Sequence, residues 1–173
     1  MRLCHHPAWW QPASTYVAGR RSATYGLADY IKQFQSLVNR HDSVAKATMA
    51  IYLEGGGVFV NGRIVSASKA NALASRAQTL ADEWDSLRVD YAAMQVPPPA
   101  AQAHKWWLSY VHHQYLGVMA DIDFINAGGD AALYKPLLRQ MVLTDKAYAQ
   151  WWYEIRVAAK RLGTSPPWGV AKD

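Results

Sequence analysis

One row of residues constrains this chain more than any other feature. Ala70, Leu73, Ala77, Leu80, Trp84, Leu87, Tyr91 and Met94 recur at alternating intervals of three and four residues. That interval returns side chains to one face of an α-helix. Ser66 or Ser68 can cap the start of the helix. Pro97-Pro98-Pro99 ends it, because proline lacks an amide proton and disfavours helix in the residue before it. A helix with so regular a stripe must bury that stripe against other helices.

Three more rows share the period. Between 24 and 53 apolar residues fall at Leu27, Ile31, Phe34, Val38, Ala45 and Tyr52, with a second row at Tyr30, Leu37, Val44 and Ile51. The third row is His104, Leu108, Val111, Tyr115, Val118, Ile122 and Ile125, which starts after Pro99 and stops at Gly128-Gly129. The fourth is Tyr134, Leu138, Met141, Asp145, Tyr148, Trp152, Ile155, Ala159 and Leu162. Asp130 caps it, Pro136 sits late for a first turn and predicts a kink or a restart, and Gly163 closes it.

Four stripes of about 27–33 residues, each roughly 40–50 Å at 1.5 Å per residue, predict an all-α, up-down-up-down antiparallel four-helix bundle. The bundle occupies 23–163 as one domain. An irregular N-terminal arm covers 1–22 and a C-terminal tail covers 164–173. Between the first two helices, Asn61-Gly62 flanked by β-branched residues predicts a small β-hairpin. It is either a plain connector or a finger presenting Val58, Phe59 and Ile64 to a partner.

Composition excludes several classes. The chain has 173 residues, 51% hydrophobic and 18% charged, which argues against disorder. The single cysteine, Cys4, excludes an internal disulfide framework. No apolar run approaches the ~20 residues of a membrane span. The net charge is +5, but Lys32, Arg40, Lys69, Arg88, Lys105 and Arg139 are scattered, so no basic stripe tracks phosphates and nucleic acid is not expected as a partner. No secretory signal is legible at the start. The chain therefore reads either as cytoplasmic or as having lost its signal.

The search for chemistry finds no phosphate loop, dinucleotide fingerprint, nucleophile elbow or paired cysteines, so an enzyme is not expected. No Glu-x-x-His lies on a helix, which argues against a di-iron centre. Cys4-His5-His6 lacks a fourth metal ligand, and neither a metal nor a cofactor is assigned. Folding each helix pair about its turn places Leu80, Tyr115 and Met141 at one level. His41, Tyr115, Asp145 and His112 then form a polar layer at the bundle centre. It either fixes helix register or, through His41 and His112, holds a metal, haem or small polar ligand, or else Asp145 simply turns to solvent on a slightly rotated helix. His104 is read as a core histidine bonded to Asp90 or to loop backbone.

The eight tryptophans and ten tyrosines are a heavy aromatic load beside three phenylalanines. Trp84, Trp106, Trp107, Trp151 and Trp152 gather toward the triple-proline end. Adjacent helical positions point about 100° apart. Trp107 and Trp152 therefore belong to the stripe, and Trp106 and Trp151 to the shoulder or outside. The cluster, with Phe59 of the finger, is a candidate surface for a ligand or partner. Alternatively the N-terminal arm, with Trp9, Trp10 and Tyr16, covers it.

The run Val96-Pro97-Pro98-Pro99, then His104 in a long helix, then Gly129-Asp130 opening another, resembles a group of small bacterial secreted or lipoprotein helical-bundle proteins of unknown function. The resemblance spans about residues 94–162. It implies an extracytoplasmic, non-enzymatic helical domain and supplies no catalytic residues. The expectation is a non-enzymatic interaction or ligand-binding bundle of the cell envelope or exterior. A histidine-bound cofactor protein and a structural subunit of a larger assembly are the alternatives.

Overall fold

The computed structural model describes residues 26–60, 63–64 and 66–161. The N-terminal arm with Cys4, His5, His6, Trp9, Trp10 and Tyr16, the Asn61-Gly62 turn, Gly163 and the C-terminal tail lie outside the described residues. So does the side chain of Phe59.

The body is all-α. Helix α1 spans Leu27–Val58, α2 Ala67–Ala92, α3 Ala101–Asn126 and α4 Tyr134–Arg161. Short 3-10 turns, Pro98–Ala100 and Ala131–Leu133, lead into α3 and α4. Contacts along α1 and α2 run in opposite directions. Arg40 reaches Glu83 at 3.0 Å and Asp90 at 2.6 Å, Thr48 meets Trp84, and Glu54 pairs with Arg76. Helices α3 and α4 are likewise antiparallel, with Trp107 against Trp151 and Phe124 against Tyr134. Helices α1 and α3 run parallel across the diagonal, with Tyr30 on His104, Phe34 on Trp107 and His41 on Tyr110.

Local chemistry explains the boundaries. Ser66 Oγ accepts the amide of Lys69 at 3.4 Å and caps α2. After α3, Gly128 and Gly129 adopt φ of 73° and 83°. Their amides return to Ile125 and Phe124, the paired bonds by which a left-handed glycine closes a helix. Asp130 Oδ1 then accepts the amide of Ala132 at 2.9 Å. Because α4 proper begins at Tyr134, Pro136 falls in its first turn, where a proline is tolerated and no kink is needed.

The β-finger is not supported. Helix α1 runs on through the glycines to Val58, which is buried in the core, and Ile64 packs half-buried against it. Between them, among the described residues, just Phe59 opposite Ile64 and Val60 opposite Arg63 pair as strand. Two residues a side are too few to stand clear of the helices.

The core rows of α1 to α3 follow the sequence periods, with shifts. In α1 the two expected rows merge into one, Leu27, Tyr30, Phe34, His41, Val44, Thr48 and Ile51. In α2 Ala81 is buried where Leu80 was expected, and Leu80 sits at the edge. Helix α3 is buried on two rows and packs extensively against both α2 and α4. Helix α4 is rotated from its expected face. Its buried residues are Leu137, Thr144, Ala147, Trp151, Ile155, Ala158 and Ala159, while Leu138, Met141, Asp145 and Tyr148 are exposed. Small residues face α3 because the two helices approach closely. A Cβ on Gly117 of α3 would lie 3.8 Å from Gln140 Cβ on α4 and 3.3 Å from the Tyr52 hydroxyl on α1.

Candidate functional site

The backbones of α1 and α4 stay apart along the fourth side of the bundle. A groove of about 530 Å³ fills that gap. Phe34, Val38, His41, Asp42 and Ala45 of α1 form one bank. Thr144, Asp145, Tyr148, Trp151 and Trp152 of α4 form the other, and Trp107, Tyr110 and Gln114 of α3 make the floor. A smaller hollow of about 360 Å³ beside Asp29, Lys32 and Gln95 lacks aromatic walls.

The rings around the groove are mutually packed. Phe34 lies 4.7 Å from Trp107 and 5.9 Å from Trp151, and Trp107 lies 4.7 Å from Trp151. Trp151 touches Trp152 at 4.8 Å and Tyr148 at 5.6 Å, and Tyr148 reaches Tyr110 at 5.4 Å. Tilted, edge-on and offset-parallel arrangements of this kind hold their geometry, so the walls are preformed.

His41 is the polar element of the inner wall. It is 6% exposed and sits edge-on to Trp84 at 5.1 Å and tilted on Trp107 at 4.8 Å. Burial pushes its pKa down to about 4, against a smaller opposing pull from Asp42, so the ring is neutral at pH 7. Its Nε2 lies 3.5 Å from the Tyr110 hydroxyl, which also accepts Gln114 Nε2 at 3.1 Å. With the hydroxyl donating to Nε2, the imidazole proton sits on Nδ1. That buried atom has no hydrogen-bond partner among the described residues, and an unmet buried donor is costly. Burial also pushes the Tyr110 phenol up to about 12, so it too is neutral. Asp42 and Asp145 are then the charged side chains among the groove's lining residues, one on each bank, and both are exposed.

The structure sorts the expected site residues. Trp107, Trp151 and Trp152 line the groove, but the α4 pair is exchanged. Trp151 is 3% exposed and Trp152 lies at the edge, because α4 is rotated by about one residue. Trp106 is half-buried against the core and does not reach the groove. Trp84 is fully buried and donates Nε1 to Thr48 Oγ1 at 2.9 Å, so it is a core residue.

The polar layer does not assemble as expected. His41 and Asp145 both face the groove, yet Tyr110 stands where Tyr115 was expected, and Tyr115 packs half-buried elsewhere. His112 sits beside His113 at 5.7 Å, under the influence of Arg88 and Asp85 on the α2 side. His41 and His112 therefore do not share a site. Among the described residues no three histidine, cysteine or acidic side chains gather as a metal site. His104 pairs with the Tyr30 hydroxyl at 3.1 Å and with the backbone of Tyr91, not with Asp90, which Arg40 holds.

Sequence reasoning missed Asp42, Tyr110 and Gln114. Tyr110 and Gln114 follow Trp107 at helical spacing, which places all three on one face of α3. No protein-family model matches the chain, and no characterised protein and no solved structure matches it.

Proposed function

We propose that this protein is a non-enzymatic binding bundle that takes a small ligand in the aromatic groove between α1, α3 and α4. The observation that carries the reading is the groove itself: about 530 Å³ of space between α1 and α4, lined by packed rings and by His41, Asp42 and Asp145. That size, and mostly apolar walls with a few placed polar groups, are the ordinary attributes of a small-molecule site. The resemblance of residues 94–162 to secreted or lipoprotein helical bundles supports placing the protein in the bacterial envelope or exterior.

Native mass spectrometry of protein purified from its own source tests the reading. A small molecule should be released from wild type on denaturation and be absent from Ala45→Trp, which fills the groove. Equal occupancy of the two proteins, or empty wild type, argues against it.

A second reading, a subunit of a larger assembly, draws on exposed apolar residues of α1 and α4. Met49 and Leu53 on α1, the latter 75% exposed, and Met141 and Val142 on α4 have no cover among the described residues. Light scattering across a concentration series tests self-assembly. A constant monomer mass removes that form of it.

A further inference from the structure

The groove has a one-sided chemistry. Its accessible rings are Tyr148 and the half-buried Trp152, backed by the buried Phe34, Trp107 and Trp151, and its charged lining groups are the carboxylates Asp42 and Asp145. Among the described residues no lysine or arginine lines it. Aromatic faces carry negative electrostatic potential and attract cations within about 6 Å of the ring centre. Carboxylates on both banks reinforce that sign, and a site with low-dielectric walls focuses it. An anion would meet repulsion from both sides. A plain hydrocarbon would fill the space but desolvate two carboxylates without compensation. A bare metal ion would find two carboxylates and no third ligand among the described residues.

We propose that the groove binds an organic ammonium ion, a quaternary or alkylated amine, with its alkyl groups against the rings and its charge between Asp42 and Asp145. The two carboxylates disfavour a headgroup in which phosphate adjoins the ammonium, so the ion is a free one rather than part of a phospholipid. This inference rests on the reading of the groove as a ligand site.

Calorimetric titration with choline and with its neutral isostere 3,3-dimethylbutan-1-ol tests the charge requirement. Choline should bind at least about tenfold more tightly than the isostere, a difference of about 1.4 kcal/mol, and added salt should weaken it. The double variant D42N/D145N, altered only at exposed positions, should lose that preference while unfolding at nearly the wild-type temperature. Ala45→Trp should abolish binding of either compound. Equal affinity for choline and the isostere, both lost in Ala45→Trp, overturns the ammonium assignment but leaves the groove as an apolar ligand site. No binding of choline or of the bulkier benzyltrimethylammonium also overturns the assignment. So does binding to phosphatidylcholine vesicles without binding to free choline.

Discussion

Phe34 and Trp151 lie face to face, ring centres 5.9 Å apart and planes within 10° of parallel, and so tie α1 to α4 across a seam where the backbones stay apart. Both rings also touch Trp107. The contact closes one end of the groove and joins it to the core.

Removing Trp151 should therefore cost stability as a core substitution does. Trp151→Ala is expected to lose about 3–5 kcal/mol, and Trp152→Ala, from the half-buried neighbouring position on the same helix, distinctly less. Denaturant unfolding of the two variants checks this. Equal losses would mean that α4 presents a different face from the one described.

Thr48 links two buried helices through a single hydroxyl. It accepts Trp84 Nε1 at 2.9 Å and donates to the Val44 carbonyl at 2.9 Å. Thr48→Val keeps the shape and strands the indole N–H inside the core, at an expected cost of about 1–3 kcal/mol. A double-mutant cycle with Trp84→Phe isolates the bond. The cost of Thr48→Val should shrink in the Trp84→Phe background, and an undiminished cost would show that the bond contributes nothing.

Acid should destabilise the fold through its histidines. Burial lowers His41 and His104 from 6.5 to about 4. Between those values the unfolded chain binds protons that the native state refuses, so stability falls as pH drops, by on the order of 3 kcal/mol for each histidine. Asp121 opposes this. Burial raises it to about 7, against a smaller pull from its bond to Tyr52. Its protonated native form contributes stability below pH 4 that is lost as pH rises through 7. The two histidines outweigh the one aspartate, so stability should climb between pH 4 and 6.5. Asp121→Asn removes the opposing term and should steepen that climb. Unfolding free energies measured from pH 4 to 8 decide the point, and parallel profiles for the two proteins would refute it.

The sequence carried the fold class where each helix has one dominant stripe. Helix α2 was readable almost residue by residue because its row is unbroken and bounded by Ser66 and Pro97. Helix α4 was not, because it carries two competing stripes. Hydrophobicity favours the one with Leu138, Met141 and Tyr148. Size favours the one with Thr144, Ala147 and Ala158, and close approach to α3 at Gly117 lets size win. The same logic governs the site. Trp107, Trp151 and His41 were visible as aromatic and polar residues on core rows. Asp42 was not, because it lies off the row. Periodicity marks where helices pack, whereas a groove forms where two of them do not.

That open side has a thermodynamic corollary. Helix α3 packs closely along its length with both α2 and α4, while α1 is held chiefly by α2 and by side chains reaching across the diagonal. A molecule lodged between α1 and α4 would cross-brace the most weakly fastened helix to the rest. Occupancy and folding then become linked equilibria, and saturation to a hundred times the dissociation constant adds about 2.7 kcal/mol to the folded state. The bundle would be at its stiffest when loaded, with α1 acting as the clasp.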